Sequence, residues 1–191
     1  AVISKLSWIK KQQEEFLKQP RQSERLYVDG ESHYFQGKRY LLEVIERSGK
    51  HELLLKNKSK IQLFVTPNTS KAKKASVVND WYRKQLKIII PELVSKWQPI
   101  VGKQVNDWGV RKMKTKWGSC NIEAKSIWLN LELAKKSPVC LEYILVHELV
   151  HLHERKHNDN FKRLMDKFMP NWEHNRDILK SEPLAYENWE Y

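Results

Sequence analysis

The stretch His147-Glu148-Leu149-Val150-His151 constrains this chain more than any other. It stands inside an apolar run, Leu141 to Leu152, whose spacing predicts a helix. Residues four apart on a helix share a face, so the two imidazoles can grip one cation while the glutamate reaches a water beside it. That is the minimal kit for zinc-assisted hydrolysis. The plainer alternative is two surface histidines on an amphipathic helix, and the context opposes it. Ser137 followed by Pro138 is a helix-start signal, a hydroxyl cap and then proline at the first helical position. Leu141, Leu145, Leu149 and Leu152 fall on one stripe, and His147 and His151 lie away from it. Such a helix buries its leucines and turns its histidines to a cleft.

Catalytic zinc usually takes three protein ligands and one open position. His157 follows His151 too closely to share its face on an unbroken helix, so the helix must end near Glu154 to Lys156 and the chain must turn back. Asn158, Asp159 and Asn160 supply a turn and a fresh cap, and Phe161, Leu164, Met165 and Phe168 resume the helical period. Glu173, on the helix after that, is the rival third ligand. His153 falls off the metal face and is expected in solvent.

A length of 191 residues suffices for one sizeable core, and 40% hydrophobic content with eight tryptophans indicates a folded globular chain. No apolar run approaches the roughly 18 residues of a membrane span. The first residues carry Lys5, Lys10, Lys11, Glu14 and Glu15, which excludes a secretory core there. Two cysteines, Cys120 and Cys140, make no disulfide framework, so a reduced, cytoplasmic setting is the simplest reading. Cys140 reads as a small buried hydrophobe. Cys120, in a loop, could approach the metal.

The net charge of +12 favours polyanions or acidic substrates. If Val110 to Trp117 is a strand, Lys112, Lys114 and Lys116 share a face between Trp108 and Trp117, a candidate surface for single-stranded nucleic acid. The plainer reading is a solvated strand face with two core tryptophans.

Ile3 to Leu17 patterns as an amphipathic helix. Leu26 to Val28, Tyr34-Phe35, Arg39 to Ile45, Leu53 to Leu55 and Ile61 to Val65 are strand candidates, and Asp29-Gly30, Gln36-Gly37 and Ser48-Gly49 suggest hairpins between them. The turn Pro67 to Ser70 divides an N-terminal helix plus β-rich region, 1–66, from the rest, 67–191. Lys71 to Val101 is helix-rich, and Pro91 should kink or split it. A second strand pair, Val110 to Lys116 and Ser126 to Leu131, precedes the histidine helix, and its later strand offers an edge on which an extended peptide pairs.

The tract Trp117-Gly118-Ser119-Cys120-Asn121, then Ile127-Trp128-Leu129-Asn130, then the histidine helix and His157, resembles the YgjP-like metallopeptidase family, related to the SprT and Spartan zinc proteases within the zincin class. Tyr27 to Glu31, Tyr34-Phe35 and Gly37 are similar to that family's β-rich front part. The resemblance implies an α+β fold: a zincin-like metallopeptidase core over 67–191, with helices packed on a small antiparallel sheet, and the β-rich part before it. It implies one catalytic Zn2+ on His147, His151 and His157, favouring His157 over Glu173, with Glu148 as acid/base and a polypeptide as substrate. Trp117 and Asn130 are then candidate substrate contacts. The histidine spacing equals that of the metzincins, but Glu154 stands where those place glycine and no Met-turn is evident, so that assignment is rejected.

Two other functions compete. One is a DNA-associated protease of the SprT/Spartan kind, acting on nucleic-acid-bound proteins through Lys112, Lys114 and Lys116. The other is a non-proteolytic, zinc-stabilised nucleic-acid-binding protein. The last is disfavoured, because Glu148 would have no task and closed structural sites usually use four ligands, often cysteines.

Overall fold

Short apolar runs recur between Ser32 and Val65, and the computed structural model, which describes residues 24–182, lays this stretch out as a four-stranded sheet. Its strands are β1 (Ser32–Phe35), β2 (Lys38–Glu46), β3 (Glu52–Leu55) and β4 (Lys60–Val65), in spatial order β1-β2-β4-β3. The helix expected over Ile3 to Leu17 lies outside the described residues. Gln36 and Gly37 both take positive φ, 49° and 74°, as a two-residue hairpin turn demands. Ser48-Gly49 makes no hairpin. β2 pairs in parallel with β4, so the chain crosses to the far edge as β3 and returns between them as β4. Leu26 to Val28 is not a strand either. The Leu26 and Tyr27 N–H groups donate to the Glu31 carboxylate at 2.7 and 3.0 Å, which takes the donors a ladder would need. Asp29-Gly30 is pinned beside β2, Asp29 accepting from the Val44 N–H at 3.0 Å.

Helix α1 (Lys71–Val101) starts where Ser70 accepts from the Lys73 N–H and stops at Gly102, whose φ of 70° is a left-handed cap. Pro91 does not split it. Pro91 and Lys87, whose carbonyl loses its helical donor, both lie on the exposed face, where water can replace the missing bond. The opposite face is a continuous apolar row including Val78, Tyr82, Leu86, Ile90 and Val94.

A second, three-stranded sheet comes next: β5 (Asp107–Arg111), β6 (Gly118–Asn121) and β7 (Ser126–Asn130), ordered β5-β7-β6. It is mixed rather than antiparallel, because β7 inserts between the other two, parallel to β5 and antiparallel to β6. The strand expected from Val110 to Trp117 ends at Arg111, and β7, expected as an edge, is central. A short 3-10 turn, Leu131–Lys135, leads into α2 (Pro138–Val150), then α3 (Asp159–Phe168) and α4 (Trp172–Ser181).

Leu141, Leu145 and Leu149 are buried, Leu152 beyond the helix end is partly buried, and Tyr143, Ile144, Val146 and Val150 are buried too, so this helix is enclosed nearly all round rather than amphipathic. Glu142 accepts from Lys96 Nζ at 2.5 Å and from Trp97 Nε1 at 2.7 Å, which clamps it to α1. Ser137 makes no side-chain cap to α2; its hydroxyl and N–H bond the Glu182 carboxylate instead. From the front sheet, the Gln36 and Gly37 N–H groups donate to the Ala134 and Lys135 carbonyls at 2.9 and 3.1 Å. The Tyr82 hydroxyl reaches the Tyr34 carbonyl at 2.6 Å, and the Phe35 ring packs on Trp81. Both sheets and the helices thus share one hydrophobic core. Among the described residues, no helix is long and apolar enough to cross a membrane.

Candidate metal and catalytic centre

α2 ends at Val150, one turn sooner than the sequence suggested, and His151 is already its C-cap. The Leu152, His153 and Glu154 N–H groups close onto the Leu149 and Val150 carbonyls and wind the chain into a tight turn. Glu154 holds the next residues in place. Its carboxylate accepts from the Lys156 N–H at 3.1 Å and from Asn160 Nδ2 at 3.2 Å. Asn158 then caps α3, accepting from the Phe161 N–H at 3.0 Å. The result is the expected helix, turn and helix, with His157 folded back over α2.

His147, His151 and His157 converge, their nitrogen donors all lying within 4.8 Å of one another. Nε2 of His147 stands 2.9 Å from Nε2 of His157. His151 Nδ1 lies 3.0 Å from the Glu154 carbonyl, which can only accept, so the ring's proton is on Nδ1 and Nε2 keeps its lone pair. Burial, with His151 and His157 adjacent, pushes His147 down to about 3. Burial also lowers His151 and His157. The rings are therefore neutral near pH 7. Two facing nitrogens at 2.9 Å share at most one proton, which leaves lone pairs that a cation can take. A neutral set of three imidazole donors fits zinc and the neighbouring divalent metals. Glu173 is not part of this cluster; it is exposed and pairs with Arg176 at 3.4 Å. His153 is exposed as expected, its Nε2–H donating to the Val101 carbonyl at 2.7 Å.

Glu148 is 5% exposed. Burial raises its carboxyl to about 8, with the Lys116 ammonium pulling the other way. Gly118, the first residue of β6, lies against it: a Cβ there would sit 2.5 Å from Glu148 Oε1. No side chain larger than hydrogen leaves room for the carboxyl at this position. In the sequence, Gly118 stands within its tract with no evident task, and Glu154 and Phe161 escape notice as parts of the site. Of the three, only Glu154 carries a visible signal, an acid where a turn is required.

Asn130 is fully buried, and its side chain holds a loop rather than facing a cleft. Nδ2 donates to the Met113 and Lys116 carbonyls at 3.0 and 2.7 Å, while Oδ1 accepts from the Glu132 N–H at 3.1 Å. That loop carries Lys112, Lys114 and Lys116. The three are exposed but do not share a strand face, because the ladder stops at Arg111 and the segment is irregular. The geometric basis for a single-strand surface on a strand is therefore lost. Trp117 is half-buried at the loop's end, with the Lys136 ammonium 5.4 Å from its ring centre. Cys140 is buried in the core, and Cys120, in β6, is pushed up to about 11 by burial and by Glu148.

The chain matches no curated protein. Among solved structures it is similar to the metallopeptidase zymogen of Pyrococcus abyssi abylysin, at 25% identity and a TM-score of 0.42, over 47% of this chain and 88% of that one. The model of the YgjP-like metallopeptidase domain matches residues 1–182, nearly the whole chain, and with His147, His151 and His157 now in one cluster, the protein belongs to the YgjP-like metallopeptidases and is a metal-dependent peptidase.

Proposed function

We propose that the protein hydrolyses peptide bonds with one zinc ion held by His147, His151 and His157 and with Glu148 as general base. The observation that carries this reading is the convergence of three neutral imidazoles, with the buried Glu148 next to the first of them along α2. When bound, the ion polarises the scissile carbonyl and makes a neighbouring water far more acidic. Glu148 accepts a proton from the attacking water as its oxygen bonds to the carbonyl carbon. The same carboxyl then delivers that proton to the amide nitrogen as the C–N bond breaks. Burial raises the Glu148 carboxyl in the metal-free site, and the charge of a bound cation would oppose that rise.

The substrate edge passes from β7 to β6. β7 is paired on both sides, whereas β6 is an outer strand and begins at Gly118, against Glu148. An extended peptide adding to β6 would bring its backbone past the carboxyl. Trp117 would wall one end of that path, and Lys116 would present positive charge beside it. Flexible or unfolded segments are the expected substrates, since a compact domain cannot offer a free strand.

Glu148→Gln keeps the shape of the side chain and removes its basicity. It is expected to retain zinc by metal analysis while peptide hydrolysis falls by about 10²–10⁴-fold. A variant that binds zinc and cleaves as fast as the parent would end the assignment of Glu148.

A further inference from the structure

Phe161 stands in a relation to the histidines that the reaction described above does not use. The ring centres of His147 and His151 are 4.9 Å apart, those of His147 and His157 also 4.9 Å, and those of His151 and His157 4.7 Å. Phe161 repeats these separations, at 4.9, 4.7 and 4.9 Å from His147, His151 and His157 in turn. Four points with six nearly equal separations are the corners of a tetrahedron. Three corners carry nitrogen donors, and the fourth is purely apolar and 3% exposed. The phenyl ring therefore covers one face of the imidazole triangle, whose His157 corner is exposed to solvent.

We infer that Phe161 is a positioning residue for the metal ligands. It forms a rigid back wall that sets the spacing of all three imidazoles and keeps water off one side of the ion they hold. The inference rests on the metal reading proposed above. Its physical basis is packing. The phenyl meets His147 and His157 edge to face, at 63° and 82°, and lies tilted at 37° to His151. Edge-to-face contacts at these separations are favourable aromatic geometry and restrict ring rotation. The wall is also tied to the third ligand. Asn158, the residue after His157, receives the Phe161 N–H, so the capped first turn of α3 holds the ring and the turn histidine in one unit. Imidazoles held at the right spacing before the ion arrives lose less freedom on binding it, and the ion gains affinity. Closing one face confines any further ligand, including the reacting water, to the opposite side.

The test compares Phe161→Leu and Phe161→Ala with Met165→Ala in the full-length protein. Met165 is fully buried on the same helix, one turn beyond Phe161, and carries no ring to pack edge to face on the imidazoles, so it reports general loosening of α3. Each variant is first checked for native circular dichroism. Zinc affinity is then measured by competition with a chromogenic chelator, and the visible spectrum of the cobalt-substituted protein is recorded. Phe161→Ala is expected to weaken zinc binding by roughly 10–100-fold and to alter the cobalt bands. Phe161→Leu, which keeps volume but not the flat face, should fall between, and Met165→Ala should bind as the parent does. Equal affinity and unchanged cobalt bands in the folded Phe161 variants would overturn the inference and leave the metal site standing. So would an equal loss in Met165→Ala. If the parent itself takes up no zinc or cobalt, the metal reading fails, and this inference fails with it.

Discussion

Glu148 and Gly118 show how one residue makes room for the side chain of another. The carboxyl is buried because β6 passes directly over it, and β6 can pass so close only because its first residue has no Cβ. Burial has a thermodynamic cost whose sign can be worked out. In the metal-free protein Glu148 is raised from 4.5 to about 8, so between those values the folded chain holds a proton that the unfolded chain has lost. Stability therefore falls as pH rises through that interval. His147 acts in the opposite sense. It is lowered from 6.5 to about 3, so the unfolded chain takes up its proton first, and stability is lost as pH falls from 6.5 towards 3. The two effects oppose each other between pH 4.5 and 6.5, and only the glutamate acts above. The urea midpoint of chelator-treated protein should decline from pH 6.5 to 8, and Glu148→Gln should flatten that decline. A parent midpoint that climbs over the same range contradicts the burial argument.

Among the elements, the histidine helix and the turn after it were the most legible. The periodicity of Leu141 to Leu152 and the break required before His157 come from helix geometry, and both stand in the structure. The segment before β6 was misread. Lys112, Lys114 and Lys116 alternate with Met113, Thr115 and Trp117 as a strand would, yet alternation says nothing about whether a partner strand continues that far. Here Asn130 intervenes by taking the Met113 and Lys116 carbonyls onto its amide and pulling the chain out of the ladder. A single buried amide thus replaces several strand hydrogen bonds. Asn130→Ala would orphan those carbonyls and the Glu132 N–H, at a cost of about 2–4 kcal/mol, visible as a lower urea midpoint at unchanged m-value. Loss of less than about 0.5 kcal/mol would mean that the loop holds itself.

Across the whole molecule, element types were easier to read than neighbours. The strands from Tyr34 to Val65 and the long first helix are visible in alternation and in the 3.6-residue period. The parallel pairing of β2 with β4 and the insertion of β7 between β5 and β6 are not, because they depend on which strand of several equally apolar ones gains most from a given place. The division at Pro67 to Ser70 marks a real change from strand to helix, but the packing continues across it. Gly37 makes this testable. Its φ is 74°, and a Cβ there would fall 2.5 Å from Ser137 Oγ, so Gly37→Ala should destabilise by about 2–3 kcal/mol through left-handed strain and a clash with the start of α2. A melting temperature equal to the parent's would show that the hairpin tip is free to withdraw. The seating of that tip has a wider consequence. The peptide links from Ala134 to Ser137, where the histidine-bearing helix is aimed, are gripped by the front of the chain on one side and by Glu182 on the other. A fragment trimmed to the later half would keep all three converging histidines and lose the brace that points them, so shortening this enzyme from its front should disarm it well before the cut reaches His147.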